Sequence, residues 1–534
     1  MQVEGKYAEI ALRAAVLDAH TLDGLAPDLP TMTPVLLRQV LIPVVLHALG
    51  PVDADTWADW MEAGRFSSEE RARLNAYLDD NLDRFQVFHE TRPFGQVPGL
   101  VHTNGEYKPV SLLMPHVATG NNTPLRDART EADPIPLTVG EAVRWMLHCQ
   151  CWDTAAIKGG TVGDPETKSG KTTGNRTGPL GYLGVVTLTG RTLFDTIVLN
   201  LPQGPRAPED VPQWTRAPHT PVWTQRSPRG PLDLFTWQER RIRLVPEETP
   251  EGLRVRQVVL AAGDRIDQVP AWEPHTCWAI KTDAKGSVRF PHRQQRGRAA
   301  WQGLDSLLTI ERDTTPAKGK KIGYETSRLL AQVATATLHG DLPFDYPLRT
   351  ETCRIVYGNQ SSIVDDILFD SLPLPVAAVR ADTAVRDSVI KVCEQAENLS
   401  RAVDNLAAHL ARSVGGEPLP DDKGQKPGTK LLHTLDPLVR RFITGCRRNP
   451  GPEELRLAHV AFETLAQKAS CHIAEELLHR LPGSAFAGRP DTDSRGNRVV
   501  FRQASAERFF HADLRRTLTY LYPKQPDTGK ESAA

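Results

Sequence analysis

The sequence predicts an α+β protein: a large mixed N-terminal domain with long loops over residues 1–375, an antiparallel four-helix bundle over 376–522 and a disordered tail over 523–534. Three observations lead there. Up to Pro375, apolar runs of strand length alternate with helical stretches and with polar loops rich in Gly, Pro and Asn. Beyond Pro375 the apolar residues repeat at alternating spacings of four and three, a heptad seam. The chain has 534 residues, 40% hydrophobic and 24% charged, the balance of a globular protein with room for several domains.

Formal net charge is −1, so no global positive field draws nucleic acid in, and any such contact must come from local patches or partner subunits. No stretch of about 18 apolar residues is read in the sequence, so a transmembrane helix is not expected. The opening MQVEGKYAEIALRAAVLDAH is amphipathic and acid-bearing, unlike a signal peptide. These features lead us to expect a cytoplasmic protein with no membrane partner. The seven cysteines (Cys149, Cys151, Cys277, Cys353, Cys393, Cys446, Cys471) contain no C-x-x-C pair, so neither a disulfide framework, a metal site nor a cofactor is expected. Cys149 and Cys151 lie i, i+2 on the helix EAVRWMLHCQCW, where side chains diverge, and read as buried apolar groups.

In chain order, residues 8–49 read as helices joined by a turn, with LLRQVLIPVVLHALG strongly buried and stopped at Gly50-Pro51. Residues 67–83 form a helix capped by Ser67 or Ser68 with acids in its first turn. The aromatic segment DRFQVFHETRPFGQV is a packed turn. Residues 116–136 are polar and turn-rich, a projecting loop. A helix over 138–152 precedes a second long loop, IKGGTVGDPETKSGKTTGNRTGPLG, whose glycines alternate with Lys158, Lys168, Lys171 and Arg176. Backbone amides freed by glycine and flanked by lysine suit phosphate contact or entry into a groove; a flexible surface loop is the plain alternative. Gly170-Lys171-Thr172 imitates the end of a P-loop, but the first glycine of that motif would fall on Pro165.

VVTLTG reads as an apolar run and TLFDTIVLNL as a helix; 202–232 is an irregular connection rich in Pro and Trp. RGPLDLFTWQERRIRLV and LRVRQVVLAAGDRI look like strands. Residues 281–321 are locally basic, which fits phosphate contacts or simply a solvated surface. The seam after Pro375 runs Val385, Val389, Val392, Ala396, Leu399, Val403, Leu406, Leu410 and stops at Gly415-Gly416. A hydrophilic linker precedes a second helix near 434–446. Pro452 opens a third, striped by Leu455, Ala458, Phe462, Leu465, Ala469, Ile473 and Leu477. A fourth over 504–521 carries Phe510, Leu514, Leu518 and Leu521. Narrow stripes and short connections predict the antiparallel bundle.

Between the two parts lies YGNQSSIVDD, Tyr357 to Asp366. Gly358 permits unusual backbone angles, and Asn359, Gln360, Ser361 and Ser362 supply short hydrogen-bonding groups. Asn and Gln amides both donate and accept, so they can read base edges or hold a strand open. The plain reading is a capped turn.

The succession of parts is more specific than any one of them: an all-helical start, FHETRPF, Thr119-Gly120-Asn121-Asn122, the Gly/Lys loop, LGVVTLTG with LFDTIVLNL, RGPLDLFTW, a WEPH segment, YGNQSSI and a terminal helical bundle. This order resembles the large subunit of the type I-E CRISPR surveillance complex, Cascade, over nearly the whole chain. The resemblance implies a non-catalytic DNA-recognition subunit at the handle end of a guide RNA. Such a subunit reads a protospacer-adjacent motif from the minor groove, wedges the duplex open and helps recruit a separate helicase–nuclease. The partners it implies are guide RNA, double-stranded target DNA, and the small, backbone and handle-binding subunits. Carried over, the wedge falls on Gln360 with Asn359 and Ser361 beside it, and the glycine loop on Gly170, Lys171 and Gly174. The RNA-handle loop falls on Asn121, Asn122 and Leu125. Counting back from Trp272-Glu273-Pro274-His275 puts the groove-reading cation at Arg265. The family's opening strand of the PWIPV type and the paired C-x-x-C motifs of some members are missing, and the glycine loop differs in length.

Two other classes stand beside this. An NTPase or metal-dependent nuclease would draw on Asp365-Asp366 and on His472 and His479; the carboxylates read more simply as caps at a helix start, and the histidines are two turns apart. A scaffold binding only protein through its helices would leave the polar turn and the glycine loop without a task.

Overall fold

The computed structural model describes residues 2–3, 6–27, 29–117, 119, 135–283, 286–309, 321–419, 426–492 and 496–523. The projected RNA-handle residues Asn121, Asn122 and Leu125 lie outside these, as do most of the predicted 116–136 loop and the tail beyond 523. The chain divides into two compact units, one of residues 1–343 with 348–372, the other of 344–347 with 373–534.

The first unit is mixed. Its apolar helix Met32–Leu49 passes through one π turn at Leu37–Leu41 and has the length and mean hydropathy, 1.6, of a membrane span. The expectation that the chain lacks such a run is therefore corrected. The helix is nonetheless 72% buried within the protein, and its Arg38 is held by the Glu273 carboxylate at 2.5 and 3.0 Å. A charge so paired keeps the helix in a protein core. The WEPH segment thus supplies the counter-charge to the helix, and the Arg38 guanidinium lies 4.4 Å from the Phe235 ring.

Helix Ser68–Asp80 begins with a capping box between Ser67 and Glu70, and helix Val139–Trp152 with one between Thr138 and Glu141. Among the described residues of this unit, three antiparallel sheets have more than two strands. Gly252–Ala262 pairs with Arg240–Thr249 and, on its other edge, with Lys108–Pro109 and Leu137–Thr138. Arg349–Gly358 lies between Val185–Thr189 and Ile363–Leu372. Trp278–Asp283 lies between Gly286–Pro291 and Lys321–Glu325, so residues 281–283, 286–291 and 321 of the basic stretch are strand. At the start, Gln2–Val3 pairs with Lys6–Tyr7. RGPLDLF is not strand: Pro231 opens a single helical turn, Pro231–Phe235, before the strand begins at Arg240.

Asp365 and Asp366 are likewise not at a helix start. They sit in strand Ile363–Leu372, where both face Arg296. The next helix begins after Pro375.

In the second unit, helix Ala384–Ser413 packs against the other three long helices, Pro427–Cys446, Pro452–His479 and Gln503–Thr517. All eight seam residues from Val385 to Leu410 are buried. Lys430 meets Glu476 while Phe442 meets His459, so the second and third helices run antiparallel. Gln395 meets Thr517 while His409 meets Phe509, so the first and fourth do too. A hairpin, Arg489–Thr492 with Arg498–Phe501, intervenes before the last helix. On the third helix Leu455, Phe462 and Ile473 of the expected stripe are buried, but Leu465 is 43% exposed, and His459, Glu463, Ala466 and Ser470 complete the buried face. Glu463 belongs inside because it accepts hydrogen bonds from Gln395 Nε2 at 2.6 Å and from the Tyr520 and Leu521 amides at 2.9 Å.

Candidate nucleic-acid interface

The turn closes the hairpin of strands Arg349–Gly358 and Ile363–Leu372, with Gly358 opposite Ile363. Its three central residues are left-handed without being glycine: Asn359 at φ 40°, Gln360 at 57° and Ser361 at 61°. Such a backbone costs roughly 1–2 kcal/mol per residue, so the surroundings must hold it. They do so through Ser362, whose amide and hydroxyl both donate to the Asn359 carbonyl, at 3.1 and 2.6 Å. From outside, the Ala155 amide donates to the Ser361 carbonyl at 2.7 Å and the Tyr357 hydroxyl to the Trp152 carbonyl at 2.7 Å. Gly358, expected to supply the unusual angles, is not among the left-handed residues; a side chain there would meet Ile363 at 3.3 Å. The side chains of Asn359 and Gln360 are exposed.

The glycine loop is ordered by its own polar groups. Lys168 and Lys171 exchange backbone hydrogen bonds of 2.8 and 3.0 Å around Ser169 and Gly170, both left-handed, as a two-residue hairpin requires. Lys158–Gly159 pairs with Lys171–Thr172. Asp164 accepts from the Thr167 and Thr172 hydroxyls at 3.1 and 3.0 Å, and Asn175 donates to the carbonyls of Ala156 and Thr172. A flexible loop is therefore the wrong description of it. Gly170, Lys171 and Gly174 are all exposed. No strand–loop–helix follows Lys171-Thr172, which sets the P-loop look-alike aside. Arg265 braces this loop: it donates to the Thr173 carbonyl at 2.8 Å, and its guanidinium carbon lies over the Trp223 ring, 3.9 Å from the centroid.

The fold brings turn and loop to one place. Gln360 and Ser362 from the turn, and Ser169, Gly170 and Lys171 from the loop, line a single cavity of about 910 Å³. The segments 102–112 and 153–160 complete its walls, and Leu260 adds an apolar surface.

Beneath it lies a buried charge cluster. Asp153 sits between Lys158 Nζ, at 2.7 Å, and the Arg240 guanidinium. Burial alone would raise its pKa, but the two cations outweigh that and hold the carboxyl below its ordinary value. Arg240 also donates to the carbonyls of Thr154 and Arg176, tying the end of helix Val139–Trp152 to the glycine loop. Lys158 stood out in the sequence as a cation of the glycine loop, but Asp153 and Arg240 escaped that reading because they come from separate segments and carry no local motif.

The enzyme candidates do not assemble. Asp365 and Asp366 are engaged by Arg296; His472 is 71% exposed and meets Glu476 at 3.4 Å. Among the described residues no group of His, Cys, Asp and Glu is placed to hold a metal ion.

The fold is that of CRISPR-associated proteins of known structure. The structure matches that of a Cse1 from Thermobifida fusca with TM-score 0.79 and that from Acidimicrobium ferrooxidans with 0.78, each at 26% identity over 98% of this chain and 97% of the other. A CasA/Cse1 of Thermus thermophilus is 27% identical over 453 residues, 82% of each chain. The family profile described as CRISPR-associated protein Cse1 matches residues 1–469, and the chain belongs to that family. The resemblance to the large Cascade subunit drawn from the sequence therefore holds.

Proposed function

We propose that this chain is a non-catalytic subunit of an RNA-guided surveillance complex that reads a short motif on double-stranded DNA from the minor groove and wedges the adjacent base step apart. Gln360 is the wedge, flanked by Asn359 and Ser361; Gly170, Lys171 and Gly174 approach the groove; Arg265 positions the glycine loop. The projected RNA-handle contacts at Asn121, Asn122 and Leu125, recruitment of a helicase–nuclease, assembly with small, backbone and handle-binding subunits, and a cytoplasmic setting belong to the same reading.

The observation that carries it is the turn. A backbone held left-handed at three successive non-glycine residues projects an exposed amide beside a glycine loop. Strain of this kind persists where a function uses it. Minor-groove readout is degenerate, so a protein there works through close backbone approach and insertion between base steps. The formal net charge of −1 suits a motif search, because it limits non-specific attraction to phosphates.

The test is Gln360→Ala in the assembled complex. An exposed turn side chain contributes little to stability, so folding and assembly should be unchanged. R-loop formation on linear duplex should be lost, with partial rescue by negative supercoiling and nearly full rescue by a pre-melted bubble beside the motif. Equal failure on bubbled and paired targets would make Gln360 a binding residue instead of a wedge.

A further inference from the structure

Four consecutive residues at the end of helix Val139–Trp152 grip both the turn and the glycine loop. The Trp152 carbonyl accepts from the Tyr357 hydroxyl at 2.7 Å, and the Ala155 amide donates to the Ser361 carbonyl at 2.7 Å. Between these two bonds to the turn lie two to the loop. The Asp153 carbonyl accepts from the Gly178 amide at 2.9 Å, and the Thr154 carbonyl shares the Arg240 guanidinium with the Arg176 carbonyl, at 2.8 and 2.6 Å. Gly178 lies so close that a side chain there would run into the Cys151–Trp152 peptide.

The hairpin ladder alone does not fix where the turn points. Its register slips between Val356 and Tyr357, so that Val356 faces Asp366 and Tyr357 faces Val364, with Asp365 passed over. A bulge of this kind re-aims the side chains beside it. Tyr357, three residues before Gln360, pins the re-aimed end. Its hydroxyl is held between the Trp152 carbonyl and Gly181, where an added methyl would lie 2.8 Å away. Burial keeps the phenol's pKa well above its ordinary value, so the hydroxyl stays protonated and donates.

We propose that Tyr357 is a positioning residue: through its hydroxyl it sets the turn against the glycine loop, so that the step opened is the one beside the motif the loop reads. This rests on the reading that Gln360 is the wedge, and Tyr357 acts through it. Loop and turn meet successive parts of one duplex, so their separation has to match the rise of the base steps, roughly 3.4 Å each. A group that must fall on one step needs support good to roughly 0.5 Å. The turn has that support at both ends, from Tyr357 before its left-handed residues and from Ser361 at their close. Both bonds go to the short segment that also holds the loop, so loop and turn share one frame.

Tyr357→Phe in the assembled complex with guide RNA tests this, since it keeps the ring and removes only the hydroxyl. On a negatively supercoiled target, permanganate oxidation of a thymine at the first step beside the motif reports opening. That signal should fall about tenfold, the scale of one lost buried hydrogen bond. Capture of a duplex that carries the motif but no complementarity to the guide should stay within about twofold. Gln360→Ala lowers the same signal, and adding Tyr357→Phe to it should cost less than about a further twofold, because no wedge remains to be placed. A role in folding alone would weaken capture as well, or add its full effect to that of Gln360→Ala. Either result, or an unchanged signal in Tyr357→Phe, overturns the proposal while the wedge stands. Failure of the wedge reading shows separately, as a Gln360→Ala defect equal on bubbled and paired DNA.

Discussion

Glu239 is a carboxyl with no room for its charge. It is 1% exposed, and burial pushes its pKa up to about 8 against the opposing pull of Arg240, 3.4 Å away. In the unfolded chain the group loses its proton near its ordinary value of 4.5. Between these limits the folded state keeps a proton that the unfolded state sheds, so stability falls as pH rises from about 4.5 to about 8 and then levels. Glu239→Gln imitates the protonated form and should remove this fall. Thermal midpoints of the two proteins should stay close at pH 4.5 and diverge toward pH 8, with the variant the higher. Parallel profiles would mean that Glu239 is ionised in the fold throughout.

At the scale of elements, the helix Met32–Leu49 depends on one residue far along the chain. Arg38 is 2% exposed, and its charge is answered by Glu273. Glu273→Ala strands that charge and should cost about 3–5 kcal/mol, whereas Arg38→Met with Glu273→Ala should recover most of the loss. Urea unfolding of the three proteins decides it: a double variant as unstable as the single one would show that the pair is not what matters. The same example marks the limit of reading by sequence. The seam Val385–Leu410 was legible because all its information lies within one helix. Arg38 with Glu273, and Glu463 with Gln395, were not, because a buried polar group makes sense only beside a partner from another element. The hairpin 349–372 was misread past its turn: its second strand, IVDDILFDSL, alternates poorly and has an acidic pair near its start. Within the candidate site, the turn and glycine loop stood out by composition. Their meeting on one cavity follows only from the tertiary fold.

At the scale of the molecule, the second unit should fold without the first. It has a core of its own, with Leu431, Leu435, Val439 and Ile443 from one helix meeting the seam of another. Phe462, Ile473, Phe510 and Leu514 add to that core, and Glu463 is satisfied wholly within the unit. What a fragment of residues 373–534 lacks is Phe344–Pro347, which contributes a ring 5.7 Å from Arg380 and the 3% exposed Tyr346. Starting at Phe344 to keep them would carry along the hairpin 349–372, whose buried Cys353, Ile355 and Val364 belong to the first unit's core and would be laid bare. An exposed apolar hairpin of that kind invites aggregation. The shorter fragment should therefore be the soluble one, helical by circular dichroism and melting in a single cooperative transition. Residues 344–534 should aggregate under the same conditions. If 373–534 melts gradually, without a transition, the helices depend on the rest of the chain and the second unit is no domain.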